Sequence, residues 1–280
     1  MSHLEAPLGD FLRARRSNLS PIEVDLPATG DRRVPGLRRE EVAQRAGISS
    51  HYYLRLEQGR DRQPSPRTID ALASALRLDR HGISYMSRLV AREAAPPRES
   101  APAADPVAPE KLLAPYATQA AFLSDRNFDI LACNDVARAL SAGQWEVGAN
   151  LVASVFSERM RGTLDEWEDC ARRVVAALRF RSDPYDRRLK SLVEGLTVRD
   201  ADFGRIWARH EAHPSYFQAY RQKVPGFGAV DLLIHTFHVP RSPGWTLTAV
   251  VPDPSAQASA ATFAHLSALG PTPAQTADVA

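Results

Sequence analysis

The chain has 280 residues, room for two ordinary domains, and its 44% hydrophobic content lets it bury a core, which excludes wholesale disorder. Two cysteines, Cys133 and Cys170, are too few for a disulfide framework and lack zinc-ligand spacing, as befits a reducing cytoplasm. No apolar run is long enough for a membrane span and the N-terminus lacks a signal pattern, so a soluble, cytoplasmic protein is expected.

Charge is unevenly placed. Residues 1–95 carry 16 Arg, no Lys and 12 acidic residues, whereas residues 96–280 carry 19 basic and 21 acidic ones. Basic charge gathered at one end and carried by Arg alone points to a polyanion-facing module joined to something else.

The first third reads as helical. Leu8–Arg16 gathers Leu8, Phe11 and Leu12 on one face, and Ser20-Pro21 pairs an N-cap with a proline that opens a short turn. Helices are predicted over Arg39–Ala46, Ser49–Gln58, Pro66–Leu76 and Arg80–Glu93. In the third of these, Ile69, Leu72, Ala73 and Leu76 form an apolar stripe behind a Ser65-Pro66 start. Residues 94–110 hold five prolines in seventeen positions and read as a semi-extended linker. The expected division is a DNA-binding domain over 1–93, a Pro/Ala-rich linker over 94–110, a second domain over 111–270 and a disordered tail over 271–280.

After the linker the pattern is mixed. Ala120–Ser124 and Phe128–Cys133 flank Asp125-Arg126-Asn127 as a hairpin. Helices follow over Leu164–Arg179, Pro184–Leu196 and Arg199–Glu211, then strands over Tyr216–Arg221, Ala229–Val239 and Trp245–Val251, and a last helix over Ala256–Leu269. Strands at both ends of a helical middle predict an α+β domain with an antiparallel sheet, behind an all-α N-terminal domain.

Arg39 to Gly59 carries the marks of a helix-turn-helix. Ala43 is small where two helices must meet closely, and Gly47 can take the left-handed conformation that the turn requires. Val42, Ile48, Tyr53 and Leu56 are apolar wedges, and Ser49 is placed to cap the second helix. Glu57, acidic beside a surface meant for phosphate, is expected to be structural, as a cap or an ion-pair partner of a neighbouring Arg. Arg60 and Arg62 follow the recognition helix, where basic residues meet phosphate, with Arg13, Arg15 and Arg16 as alternative clamps. Arg32 and Arg33 lie in a loop longer than the motif needs and are expected on phosphate or in the minor groove.

This segment resembles the XRE group of repressor-like helix-turn-helix domains. A wider match rests on Leu8–Arg16, Arg32–Ala43, Tyr52–Arg60 and Pro64-Ser-Pro, and on the later pieces Phe128–Asn134, Phe203–His210 and Val224–Gly228. Over roughly residues 8–269 the chain is similar to the MmyB-like transcription regulators. The resemblance implies a C-terminal PAS-like domain that binds a small molecule, with fatty-acid-like or other hydrophobic ligands the natural class. Aligned on Gly47, the repressor pattern implies base-facing positions at Arg39, Ser50, His51 and Arg55; the two arginines suit guanine.

Candidate ligand residues in the second domain are Asn134, Trp167, Arg179, Phe203, Trp207 and His210. Aromatics at helical spacing are usually core. Phe203, Trp207 and His210, spaced by four and three, are instead expected to share one helix face that ends in a titratable donor. Capping the helix that begins at Asp135 explains Asn134 equally well. Arg179 ends an apolar helix and suits either a carboxylate or the helix C-terminus. Catalytic constellations are lacking: His210 and His213 have no third ligand, and His235 and His238 fall on opposite faces of a strand. No cofactor, metal or enzymatic activity is expected. The expectation is a homodimeric, nucleoid-associated regulator that reads a palindromic operator and answers to a hydrophobic ligand. The alternative is a constitutive dimer whose second domain is an interaction module without ligand.

Overall fold

A computed structural model describes residues 6–26, 34–94, 108–214, 219–224, 226–240 and 242–268. Arg32 and Arg33, most of the proline-rich linker and the C-terminal tail lie outside the described residues. The chain forms two compact units, one of Met1–Ala101 with Val175–Pro214, the other of Pro102–Val174 with Ser215–Ala280.

The first unit begins with helix α1, Pro7–Asn18, opened by its own proline, which buries Leu8, Phe11 and Leu12. A 3-10 turn over Ile22–Val24 follows Ser20-Pro21 as expected, but Pro21 stands at the cap position and Ser20 caps nothing with its side chain. The Ser20 N–H donates to the Glu23 carboxylate at 2.7 Å instead. Helices α2 (Arg39–Arg45), α3 (Ser50–Glu57), α4 (Pro66–Ala75) and α5 (Arg80–Ala94) follow as the apolar spacing predicts. Ser65 caps α4 by accepting the Thr68 N–H at 3.2 Å. Phe11, Leu12, Val42, Tyr53, Leu56 and Leu72 meet in a common core. α1 crosses the end of α3 so closely that a Cβ on Gly9 would stand 2.4 Å from the Glu57 carbonyl oxygen. Those neighbours are backbone atoms, which cannot swing away. Gly9→Ala is therefore expected to destabilise this unit by about 1–3 kcal/mol in a urea melt, and an unchanged midpoint would refute so close an approach.

Past the linker come α6 (Pro109–Leu113), strands β1 (Ala120–Ser124) and β2 (Ile130–Cys133), and α7 (Asp135–Leu140). The hairpin is antiparallel with Phe122 opposite Cys133. Its turn is built on the Asp125 carboxylate, which accepts the N–H groups of Asn127 and Asp129 at 2.8 and 3.0 Å. Two short helices that periodicity does not reveal, α8 (Leu151–Val155) and α9 (Glu158–Thr163), are started by the caps Asn150 and Ser157. α10 then spans Trp167–Arg181, and the boundary between the units falls inside it, after Val174. Helices α11 (Arg187–Arg199) and α12 (Ala201–Trp207) belong to the first unit. Asp186 and Asp200 cap them by accepting backbone N–H groups.

The second unit resumes with β3 (Ala219–Val224), β4 (Gly228–His238), β5 (Thr246–Pro252) and α13 (Gln257–Ala268). Of the strand expected over 216–221, residues 216–218 lie outside the described set. The five strands form one antiparallel sheet in the order β2-β1-β5-β4-β3. β1 is buried on both faces because successive side chains alternate. Ala121 and Leu123 pack with Leu113 and Leu247 on one side. Phe122 lies on the other, beside Trp145, Met160, Val174 and Tyr220. The void among them measures only about 20 Å³, room for one water. Cys133 is buried, and burial pushes its thiol up to about 12, so it behaves as a small hydrophobe.

Candidate nucleic-acid interface and ligand cavity

Between α2 and α3 the chain turns at Gly47, whose φ of +63° is the left-handed region that favours glycine. The Ile48 N–H returns to the Ala43 carbonyl at 3.0 Å, and Ala43 is almost fully buried at the crossing. Ser49 caps α3 through the Tyr52 N–H at 3.1 Å. Tyr53 and Leu56 point into the core, which leaves Ser50, His51 and Arg55 exposed on the outer side.

Glu57, the last residue of α3, is the electrostatic centre of this unit. Its side chain is 1% exposed and pairs with Arg16 at 2.6 Å and with Arg39 at 2.7 Å. Burial opposes the ionised carboxyl, yet the hydrogen bonds and charges of the two arginines outweigh it and hold Glu57 below the usual carboxylate range. Burial, followed by the charge of Glu57, drives the neighbouring Tyr53 hydroxyl upward. Arg16 is buried and also donates to the Leu37 carbonyl at 2.9 Å. It is therefore not a phosphate clamp: its guanidinium is consumed inside the fold. Arg13 is likewise engaged, donating to the Glu57 carbonyl at 3.1 Å.

The candidate base readers are differently held. Arg39 gives its Nε–H to Glu57 while its side chain stays 46% exposed, and Arg55 gives its Nε–H to Asp61 at 2.7 Å with the same exposure. Each carboxylate fixes one edge of a guanidinium plane. Arg60 is exposed, and the exposed Arg62 folds back on the Gly59 carbonyl at 2.8 Å.

The six candidate ligand residues do not converge. Asn134 has both ends of its amide in use: Oδ1 accepts from Ala121 and Ala137, and Nδ2 donates to the Tyr116 and Gln119 carbonyls. Trp167 gives its indole N–H to the Val155 carbonyl at 2.7 Å and lies edge-on to Phe156, with Arg161 over its ring. Both belong to the second unit.

Arg179, Phe203, Trp207 and His210 come together in the first. Phe203 is fully buried and stacks on Trp207, with ring centroids 5.9 Å apart. α12 ends at Trp207, so His210 is not on its face; a left-handed residue with φ +51°, it turns back instead. Its Nδ1 accepts from Arg179 Nη1 at 3.2 Å, the only role open to it, since arginine only donates. Arg179 Nη2 donates to the Trp207 carbonyl, and the guanidinium lies 3.7 Å from the Trp207 ring centroid.

This cluster borders a cavity of about 610 Å³ within the first unit. Its wall includes Asp10, Arg13 and Ala14 of α1, Tyr85 of α5, and Leu189 and Val193 of α11. Arg179 is only 6% exposed, its Nε has no hydrogen-bond partner, and no described carboxylate forms an ion pair with it. Burial pushes the guanidinium down from its ordinary value; the charge and hydrogen bonding of Tyr85, and after them the charge of Asp10, oppose that shift. No group of His, Cys, Asp and Glu among the described residues is arranged to hold a metal ion.

Comparison with known families identifies two domains in the chain. Residues 107–266, more than half of the chain, match the model of the MmyB-like transcription regulator ligand binding domain. The chain belongs to the MmyB-like transcription regulators. Residues 7–86 match a helix-turn-helix domain, so this MmyB-like regulator pairs a DNA-binding element with a ligand-binding one, and neither family is an enzyme family. A search of curated proteins returned no match. No helix among the described residues is long and apolar enough to cross a membrane. Sequence reasoning missed Asp10, Arg13 and Tyr85 at the cavity. Asp10 and Ala14 do share the side of α1 away from Leu8 and Leu12, but a polar helix face ordinarily means solvent.

Proposed function

We propose that this MmyB-like regulator is a homodimeric, ligand-responsive switch that lays α3 into the major groove of a palindromic operator in the cytoplasm, at the nucleoid. In this reading Arg39, Ser50, His51 and Arg55 meet base edges, and Arg60, Arg62, Arg32 and Arg33 meet phosphate or the minor groove. Support comes from the buttressing of Arg39 and Arg55: each is partly exposed and spends its Nε on a carboxylate, which leaves the terminal amino groups for the fork that suits guanine O6 and N7. Arg55→Ala is expected to cost about 1–3 kcal/mol at one base position. The check is a binding titration against operators varied one base pair at a time, and equal loss on all of them would make Arg55 a phosphate clamp.

The ligand we propose is a hydrophobic molecule with one anionic end, a fatty-acid-like carboxylate. The observation that carries this is Arg179, a buried cation with an unpartnered Nε at a cavity of about 610 Å³. That volume falls within the roughly 300–1,000 Å³ common for small-molecule sites. Trp207 and His210 would flank the head group, with Phe203 supporting Trp207 from behind. Asn134 and Trp167 are left out because their polar groups are spent on backbone partners. The ligand acts by binding the DNA-competent and DNA-incompetent states unequally, since only differential affinity shifts such an equilibrium.

One observation favours the second reading, a PAS-like module that only dimerises: the core of the sheet unit is closed, with a void of about 20 Å³. Native mass spectrometry of the purified full chain, followed by binding to a selected operator before and after removal of what it retains, separates the two. A retained amphiphile that changes operator affinity supports the switch. A chain that retains nothing and ignores every lipid extract supports the module.

A further inference from the structure

The last turn of the recognition helix is closed in two different ways. The carbonyls of Leu54, Arg55 and Leu56 accept backbone N–H groups from Gln58, Arg60 and Gly59. The Glu57 carbonyl instead accepts the Arg13 guanidinium, at 3.1 Å. A helix C-terminus collects partial negative charge on such carbonyls, so a cation there is a cap in both senses, hydrogen-bonding and electrostatic. Arg13 also borders the cavity, where its Nη1 lies 3.6 Å from the Asp10 carboxylate. Its neighbours on α1 show how short the connection is. Gly9 abuts the Glu57 carbonyl, Arg16 grips the Glu57 carboxylate, and Ala14 faces the cavity.

We propose that Arg13 is the residue through which occupancy of the cavity is read at the recognition helix. It is a positioning residue, acting on DNA through α3. A carboxylate entering the cavity meets two cations there, Arg179 and Arg13, and competes with the wall carboxylates Asp10 and Glu194 for them. Arg179 is buried and pinned by Trp207 and His210, whereas the Arg13 side chain is 44% exposed and held, among the described residues, only by the Glu57 carbonyl and the Asp10 carboxylate. The anion draws Arg13 inward, the Glu57 carbonyl loses its partner, and the end of α3 loosens. Base-facing residues then lose their rigid footing, with no change of dimer spacing required. This inference rests on the ligand reading above, and its test separates the two.

The experiment is hydrogen exchange of the full chain at the amides of Gln58, Gly59 and Arg60, with dodecanoate as the probe and dodecanol as the uncharged control. Each protein is saturated according to its own calorimetric titration. Dodecanoate is expected to speed exchange at these amides about five-fold, the weight of one hydrogen bond, and dodecanol is not. Arg13→Met is expected to exchange that fast without any probe and to gain nothing from it. Ala14→Glu, which tethers a carboxylate inside the cavity, should reproduce the acceleration alone but not in the Arg13→Met background. Dodecanoate that binds and leaves these amides unchanged overturns the coupling while the ligand site stands. Dodecanoate that does not bind counts against the ligand reading, and Ala14→Glu then decides the coupling: faster exchange supports it and unchanged exchange overturns it. Equal acceleration with and without Arg13 overturns it in either case.

Discussion

Glu57→Gln is expected to destabilise the DNA-binding unit by about 3–5 kcal/mol, the usual cost of removing one partner from a buried ion pair. The amide keeps the shape and one acceptor but leaves the Arg16 cation, 10% exposed, without its counter-charge. Arg39→Ala should cost far less, because that side chain is half in water and its pairing is screened. A urea melt of the full chain monitored through the helical signal of this unit measures both, and a Gln variant as stable as wild type would show that Glu57 carries no net weight. The acid limb gives a second reading. Glu57 has its folded pKa held below the ordinary value, so its contribution is present above that value and is lost as pH falls through the folded one. The wild-type midpoint should therefore drop on the acid side of the carboxylate range, and the difference between wild type and Glu57→Gln should shrink there.

The other large effect is expected at Arg179, where function and stability part company. Arg179→Met should weaken dodecanoate binding about 10- to 100-fold, as for a buried hydrogen bond to a charged group. The ligand-free protein should be as stable as wild type or more so. Arg179 is a buried charge that forms no ion pair with a described carboxylate, Asp10 acting on it only through space, and apolar replacements of poorly paired buried charges are often neutral or stabilising. Calorimetry with dodecanoate and a urea melt of the same samples check both halves. Unchanged affinity would remove Arg179 from the ligand site. A loss of several kcal/mol without ligand would make it a structural clamp on the Trp207 carbonyl and His210.

Much of the fold was legible because it is written in local chemistry. The apolar stripe of α4 and its Ser65-Pro66 start need no partner to be read, and neither does the glycine turn at Gly47. The β1–β2 hairpin follows from two apolar runs around Asp125, and the Asn134 cap from its place before Asp135. α8 and α9 escaped because helices of five and six residues are too short to show a period; their only signal was Asn150 and Ser157. α6 starts within the last two residues of the stretch read as linker, where Pro109 served as a helix start, and runs on to Leu113.

The candidate sites divide along the same line. The helix-turn-helix, its caps and its buried Tyr53 and Leu56 are local in sequence, and the residues alone determined them. The role of Arg16 could not be so determined: an arginine among arginines is a surface charge until a carboxylate forty-one positions away is brought to 2.6 Å. The cavity is more distant still, assembled from α1, α5, α10, α11 and α12, so Arg13 and Arg179 share a wall across much of the chain. Periodicity reports which face of an element turns inward. What that face meets is set by long-range packing, and only the tertiary structure decided that Arg179 would be buried beside Trp207 with its Nε unpartnered.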